Sequence, residues 1–230
     1  MFEKWNSVIS KCPLFHNIPP EEIEGALKCL KANLKTYRKD EIVVLAGNKL
    51  EGIGIFLKGM GAVVRESAGG GRVIMLTLSP GEIFGEIAAY AEEAFWPATV
   101  IAQEDSAVLF LPVQRIATNC ERQCPSHHFL LWNMLRIISN RALFLTQKID
   151  YLARKSLREK IAAYFLAESR RAGQTTFRLP LNRNELADFL SASRPALSRE
   201  MGRMRDEGLI EFHKESVKIK DIQGLKQLME

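Results

Sequence analysis

Two hydrophobic patterns follow one another along the 230 residues, and they predict different structures. Between about residues 34 and 112, short apolar runs rich in Val, Ile, Leu and Phe are separated by glycine-bearing turns; GIGIFL (52–57) and RVIMLTL (72–78) are examples. Several short strands at regular spacing predict an antiparallel sandwich or barrel. Ahead of them, Pro19 and Pro20 precede three acidic residues, which predicts the start of a helix.

After Pro125 the apolar residues take helical spacing for nearly thirty residues. Their separations alternate between four and three, and the stripe consists of Leu131, Leu135, Ile138, Ala142, Leu145, Ile149 and Leu152. Three heptads of this a/d pattern are typical of a coiled-coil seam, so we expect a long helix paired with that of a second copy. A helix packed on its own barrel is the alternative. Phe129, Trp132 and Phe144 lie off the stripe and are expected to pack onto the barrel.

A second helix should start directly after the long one. Ser156 and Glu159 form the capping-box pattern Ser-x-x-Glu, which marks a helix N-terminus. Residues 153–156 are therefore a candidate hinge and a domain boundary. The new helix should run to about Arg171 and end at Gly173, before a short strand in TTFRLPL (175–181).

The next segment predicts a winged helix-turn-helix. Asn182 with Glu185, and Ser193 with Pro195, mark the starts of two short helices joined by a turn of about three residues. LIEFHKESVKIKD (209–221) follows Gly208 and predicts a two-stranded hairpin, the wing.

The polar side of this segment has the chemistry of a DNA contact. Arginine can hold guanine O6 and N7 with two hydrogen bonds, while serine and lysine reach phosphates. The candidate DNA-binding residues are Asn182, Arg183, Ser193, Arg194, Pro195, Ser198, Arg199, Arg203 and Lys214. An ordinary helical hairpin with a solvated charged face is the alternative.

The charge distribution agrees with this interpretation. Residues 151–230 contain sixteen Lys and Arg against eleven Asp and Glu, whereas residues 1–150 contain sixteen of each, so the whole net charge of +5 lies in the last third. No apolar run approaches the ~18 residues of a membrane span, and the N-terminus lacks the apolar core of a signal peptide. We therefore expect a cytoplasmic protein without a membrane partner.

Enzymatic activity is not expected, because the sequence has no His–carboxylate pair, nucleophile elbow, phosphate-binding loop or metal-ligand spacing. Two functions remain. One is a DNA-binding regulator, and the other is a regulatory module whose C-terminal domain contacts protein.

The order of these parts resembles the Crp/Fnr family of bacterial transcription regulators along the whole chain. ELADFLSASRPALSREMGRMRDEGLI (185–210) is similar to the family's recognition segment, and LSPGEIFGEIAAY (78–90) to its effector-domain signature. The resemblance implies an α+β fold: an antiparallel β-barrel of jelly-roll type with N-terminal helices (1–124), a dimerisation helix and hinge (125–155), and a winged helix (156–230).

The resemblance also implies partners and contacts. A family member is a homodimer that responds to a signal, binds palindromic double-stranded DNA and works with RNA polymerase. Ser193, Arg194, Ser198 and Arg199 fall where the family contacts DNA. Many members have a base-reading glutamate where this sequence has Pro195, so we expect a different half-site sequence.

In the cyclic-AMP-binding members, an Arg-Ser pair about ten residues after Phe-Gly-Glu neutralises the cyclic phosphate. Here Trp96-Pro97 stands in that place. Neither side chain can balance a buried phosphate, so we do not expect cyclic AMP to bind tightly. An unidentified aromatic or hydrophobic effector is expected instead, in an apolar pocket. The candidate effector-binding residues are Phe84, Gly85, Glu86, Ile87, Trp96, Pro97, Leu145 and Thr146.

Other roles of this pocket stay open. Glu86 would either orient a ligand or serve as a structural carboxylate, and a pocket emptied during evolution also fits the sequence. An iron–sulfur cluster is not expected, because Cys12 and Cys29 stand seventeen residues apart, unlike the closely spaced cysteines of the oxygen-sensing members. Haem is not expected either, because lone histidines are usually surface or core residues.

Histidines and the remaining thiols leave two further alternatives. A haem would require His16, His127 or His128 as an axial ligand. Cys120 and Cys124 are expected to be free thiols, and their oxidation to a pair is the alternative.

Overall fold

A computed structural model describes residues 2–66, 72–92, 94–117 and 125–229. The chain divides into two compact units, one up to Arg141 and one from Ala142. This division falls inside the long helix. The predicted boundaries at residues 124 and 155 stay predictions.

The first unit contains two four-stranded antiparallel sheets, as the hydrophobic pattern predicts. Their strand orders are β1-β8-β3-β6 and β2-β7-β4-β5. The strands are β1 (Asn33–Tyr37), β2 (Ile42–Val44), β3 (Gly52–Lys58), β4 (Gly61–Glu66), β5 (Arg72–Leu78), β6 (Ile83–Phe84), β7 (Thr99–Ala102) and β8 (Ser106–Pro112). The jelly-roll-like arrangement of antiparallel sheets is thereby confirmed.

In the described residues, three short α-helices accompany these sheets, α1 (Asn6–Ile9), α2 (Pro20–Cys29) and α3 (Val113–Ala117), together with 3-10 helices at Glu3–Trp5 and Pro13–Phe15. Pro20 opens α2 and acidic residues occupy its first turn, as predicted. The core lies between the sheets and under α2, where β3 and β8 bury nearly every residue.

The long helix α4 spans Pro125–Leu152. Its first half is fixed to the first unit by Leu130 and Met134, which are buried in the core. The Asn133 amide also donates hydrogen bonds to the carbonyls of Leu14 (3.0 Å) and His16 (2.7 Å). Because both acceptors are fixed backbone carbonyls, these bonds set the rotation of α4 about its axis and its position along that axis relative to the first unit.

The expectation for the off-stripe aromatics of α4 is wrong. Trp132 is 57% exposed and Phe129 is also exposed, while Leu130 and Met134, four residues apart, face the core. Phe144 lies in the second unit, where its ring is 5.5 Å from Phe189. The face of α4 that packs against the core of the first unit therefore contains Leu130 and Met134, and not Phe129 and Trp132.

The second unit is a winged helix. It contains α5 (Leu157–Ala172), β9 (Thr176–Arg178), α6 (Arg183–Phe189), α7 (Arg194–Asp206), β10 (Ile210–His213), β11 (Ser216–Ile219) and α8 (Ile222–Gln227). The strands pair antiparallel in the order β10-β11-β9.

The helix starts predicted in this unit are confirmed. Ser156 Oγ accepts the amide of Glu159 at 3.1 Å and donates to its carboxylate at 2.8 Å. Asn182 and Glu185 form a complete reciprocal capping box. Gly173 ends α5 in the left-handed conformation, with φ of 66°.

The last turns of α4 pack against this unit through aromatic rings. Tyr151 lies 5.7 Å, centroid to centroid, from both Tyr164 and Phe189, and the ammonium of Lys148 lies 5.6 Å from the Phe189 ring. Residues 142–152 therefore belong to the second unit by their contacts. Within the described residues, no helix is long and apolar enough to cross a membrane.

Candidate DNA-binding surface and effector site

The recognition helix α7 is set by a tight turn and a cap. Ser191 takes a left-handed φ of 53°, and the Ala192 amide donates to the Ala187 carbonyl at 2.9 Å. Ser193 then caps α7 by accepting the amide of Ala196 at 3.3 Å. Leu197, Met201 and Met204 are fully buried, as the sequence predicts, so the opposite side of α7 faces outward.

The outward side carries two unpaired guanidinium groups. Arg194, Pro195, Ser198 and Arg199 are all exposed. Neither Arg194 nor Arg199 forms an ion pair with any residue that the structure describes. Both side chains can therefore turn toward an external anion or base.

The acids of α7 already have cationic partners. Glu200 pairs with Arg203 at 3.3 Å and with Arg158 of α5 at 3.5 Å, and Asp206 pairs with Arg205 at 2.8 Å. Glu207, directly after α7, pairs with Arg158 as well. These pairs keep the carboxylates from neutralising the two exposed arginines. The role of Arg158 cannot be predicted from the sequence, because a partner forty or more residues away leaves no local spacing signal.

Four predicted contact residues have structural contacts of their own. Asn182 and Ser193 use their side-chain oxygens as helix caps. Arg183 is partly buried, and this burial lowers its pKa from the ordinary arginine value. Arg203 is exposed but paired with Glu200, and Lys214 is exposed at the turn of the wing.

The predicted effector residues of the first unit lie in a packed aromatic group. Phe84 is 5.6 Å from both Phe56 and Trp96, and 6.2 Å from Phe110, between ring centroids. Trp96 is only 7% exposed. Gly85 permits this approach, since a Cβ there would lie 2.6 Å from the indole, and its φ of +87° also favours glycine.

Glu86 is the buried carboxylate of this region, with 4% of its surface exposed. Arg141 of α4 donates from Nε to Glu86 Oε1 at 3.2 Å, and the Arg141 side chain is 44% exposed. The pair lies within the first unit and connects the sheet region to α4. Arg141 was missed because nothing in the sequence relates two residues 55 positions apart.

The other predicted effector residues are placed differently. Ile87 and Pro97 are exposed in the first unit. Leu145 and Thr146 belong to the second unit, where both are exposed, and the Thr146 hydroxyl donates to the Ala142 carbonyl at 3.0 Å. Trp96 also lines an open cleft of about 230 Å³ together with Lys35, Lys49, Glu51 and Phe110, among others.

The α4 stripe is largely exposed in the single chain. Leu131, Leu135 and Leu145 are 39–49% exposed and Ile149 is 65% exposed, while Ile138 is partly buried against the core. Exposed leucines at heptad spacing form an apolar strip that a second helix would cover.

Metal and redox chemistry gain no support in the described part of the chain. No group of three His, Cys, Asp or Glu side chains there could hold a metal ion. Burial raises the pKa of the Cys12 thiol to about 11, so it stays protonated. His128 lies about 6 Å from the rings of Phe129 and Trp132. Cys120 and Cys124 lie outside the described residues, and the expected absence of a cofactor stays a prediction.

Comparison with known proteins gives two family matches on separate parts of the chain. A cyclic nucleotide-binding domain matches residues 34–123, and a Crp-like helix-turn-helix domain matches residues 159–228. The first match covers both sheets, and the second covers nearly all of the winged helix.

Relatives match almost from end to end. The cyclic AMP receptor protein of Thermus thermophilus is 24% identical over 94% of this chain and 96% of its own length. The transcriptional regulatory protein btr of Bordetella pertussis is 25% identical, over 96% and 92%. The crystal structure of the Thermus thermophilus catabolite activator protein has a TM-score of 0.54 at 24% identity, covering 94% of this chain and 98% of that one. The structural likeness supports the fold.

Proposed function

Since the chain belongs to the Crp/Fnr family of bacterial transcription regulators, we propose that it acts as a homodimer that reads a palindromic DNA site in response to a signal. The matched relatives are transcriptional regulators, so the chain is a DNA-binding regulator and not an enzyme. We place its action in the cytoplasm, with RNA polymerase as its expected partner there.

The unpaired arginines of α7 are the main support for sequence-specific binding. Arg194 and Arg199 are exposed on the recognition helix, whereas its acids already have cationic partners, Glu200 in Arg158 and Arg203 and Asp206 in Arg205. An arginine that holds a guanine with two hydrogen bonds contributes about 1–3 kcal/mol of discrimination. Lys214 on the wing would add a phosphate contact.

The α4 stripe supports the homodimer. Two parallel copies of α4 would bury the exposed leucines and Ile149 against each other. A two-fold symmetric dimer presents two recognition helices, and these fit half-sites about 34 Å apart, one turn of the duplex. Such a pair reads a palindrome.

The signal proposed for the first unit is an aromatic or hydrophobic molecule and not cyclic AMP. One relative is named a cyclic AMP receptor protein. In this chain, however, the buried Trp96 stands where the cyclic-AMP-binding members neutralise the phosphate, and the cation Arg141 is already paired with Glu86. A buried phosphate without a cation costs several kcal/mol. An effector would bind beside Phe84 and Trp96 and shift the population of α4 orientations.

Titration of a duplex selected from a random pool tests the DNA-binding proposal. We expect Arg199→Ala to weaken specific binding by about 1–3 kcal/mol per half-site and to relax discrimination at one base pair. Lys226→Ala, which removes an exposed charge from α8, is the matched control and should leave discrimination unchanged. Equal behaviour of Arg199→Ala and the wild type on every sequence would show that α7 does not read bases, and would favour a protein-contacting domain.

Calorimetry with cyclic AMP tests the proposal about the signal. We expect no binding in the micromolar range. A micromolar dissociation constant would contradict the assignment of Trp96-Pro97 as a non-binding pair.

A further inference from the structure

Arg183, the first residue of α6, makes three contacts inside the winged helix. Its Nη1 donates to the sulfur of Met201 at 2.8 Å, and its Nη2 donates to the carbonyl oxygen of Lys214 at 3.0 Å. Its guanidinium carbon lies 4.9 Å from the centroid of the Phe212 ring. One side chain thus joins α6, the recognition helix and the wing.

The carbonyl that Arg183 binds belongs to the turn of the wing. This turn, Lys214-Glu215, connects β10 and β11, and Lys214 has a left-handed φ of 53°, which is unfavourable for a non-glycine residue. The second turn carbonyl, that of Glu215, accepts the amide of Leu179 at 2.8 Å. Both carbonyls of the turn are therefore held, while the Lys214 side chain remains exposed.

A second guanidinium group lies near the Phe212 ring. The guanidinium of Arg205, on α7, lies 5.7 Å from the same ring, and Asp206 neutralises it at 2.8 Å. Stacking against an aromatic face orients the planar guanidinium, which a lysine ammonium does not reproduce.

We propose that Arg183 is a positioning residue, which holds the turn of the wing against α7 so that the Lys214 ammonium meets a DNA phosphate while α7 lies in the groove. A turn fixed before binding loses less conformational freedom on binding than a mobile one. This inference rests on the proposed DNA-binding function for its last step. It differs from a direct phosphate contact by Arg183, because the guanidinium would act through Lys214.

The salt dependence of DNA binding separates the two roles. The affinity for DNA falls as salt rises, and each lost phosphate contact makes the fall of log K with log salt less steep by about 1. Lys214→Ala removes the ammonium and keeps the carbonyl oxygen, so we expect it to reduce the steepness by about 1 per half-site. Arg183→Gln should reduce it by a similar amount, and the double variant by no more than either single variant. A double variant that reduces the steepness by about 2 per half-site would show that Arg183 contacts DNA on its own.

Amide exchange in the free protein tests the structural step without DNA. The Leu179 amide is protected by its hydrogen bond to the turn. In Arg183→Gln, we expect this amide hydrogen to exchange about 10-fold faster than in the wild type, because a charged hydrogen bond is lost. In Arg183→Lys it should also exchange faster, although lysine keeps the charge. Lys214→Ala and Arg199→Ala are the controls and should exchange as the wild type does.

The outcomes distinguish this inference from the proposed function. Unchanged exchange at Leu179 in both Arg183 variants would overturn the positioning role, whatever happens to DNA affinity. A protein that binds no duplex but shows the faster exchange would contradict the proposed function and leave the contact between Arg183 and the wing established.

Discussion

At the scale of single residues, the packing around Trp96 depends on one glycine. Gly85 and Gly81 share a positive φ, of 87° and 91°, but only Gly85 lies against the indole. The nearest atom to a Cβ at Gly81 is 3.7 Å away. We expect Gly85→Ala to lower the free energy of unfolding by about 1–3 kcal/mol more than Gly81→Ala, measured by urea denaturation. Equal losses would mean that Trp96 is not packed at this position.

The Glu86–Arg141 pair gives a second prediction at this scale. Arg141→Ala leaves a buried carboxylate without its cation, and because Arg141 is partly exposed we expect a loss of about 1–3 kcal/mol of unfolding free energy. Adding Glu86→Gln removes the unpaired charge and should recover part of this loss. Arg136→Ala, which truncates an exposed arginine of the same helix, is the control. A double variant no more stable than Arg141→Ala would contradict the pair's role.

Some features of the candidate effector site could be predicted from the sequence and others could not. Trp96-Pro97 was identifiable by its position after Phe-Gly-Glu, because that stretch is local. Arg141 was not, since its pairing with Glu86 depends on how α4 lies on the sheets. The predicted apolar cavity was drawn from residue types alone, whereas the structure shows Trp96 filling space beside Phe84.

At the scale of elements, α5 and the end of α7 are joined by the Arg158–Glu207 ion pair. The Arg158 guanidinium lowers the pKa of Glu207 below its ordinary value. The pair is therefore fully stabilising above the unfolded pKa, and its contribution is lost as pH falls through the folded pKa. We expect the unfolding free energy of the wild type to fall more steeply between about pH 5 and pH 3 than that of Glu207→Gln. Parallel pH profiles would contradict this.

Sequence predicted the capped elements better than the others. Ser156, Asn182 and Ser193 carry polar side chains that bond to amides two or three residues away, so their signals are local. β1, β6 and β7 were not predicted as separate runs. β1 is rich in polar residues, and β6 and β7, with two and four residues, are too short to form a distinctive apolar run. The contact face of α4 was misjudged for Trp132, since heptad spacing does not say which side meets the sheets.

At the scale of the whole molecule, the proposed dimer forms by pairing of α4 from two copies. Ile149→Glu places charges at facing seam positions, where they repel and lose solvent. We expect this variant to sediment as a monomer at concentrations where the wild type is a dimer. Gln147→Glu adds the same charge two residues away, off the stripe, and should stay dimeric. A dimeric Ile149→Glu protein would place the interface elsewhere.

We propose that two recognition helices read DNA together, and selection of duplexes from a random pool by the purified protein is the test of this proposal. We expect an enriched motif with two-fold symmetry, whose half-sites are centred about 34 Å apart along the duplex. In Arg199→Ala, the two symmetric positions that this side chain reads should lose enrichment together. An enriched motif without symmetry, or a pool in which no sequence is enriched, would contradict it.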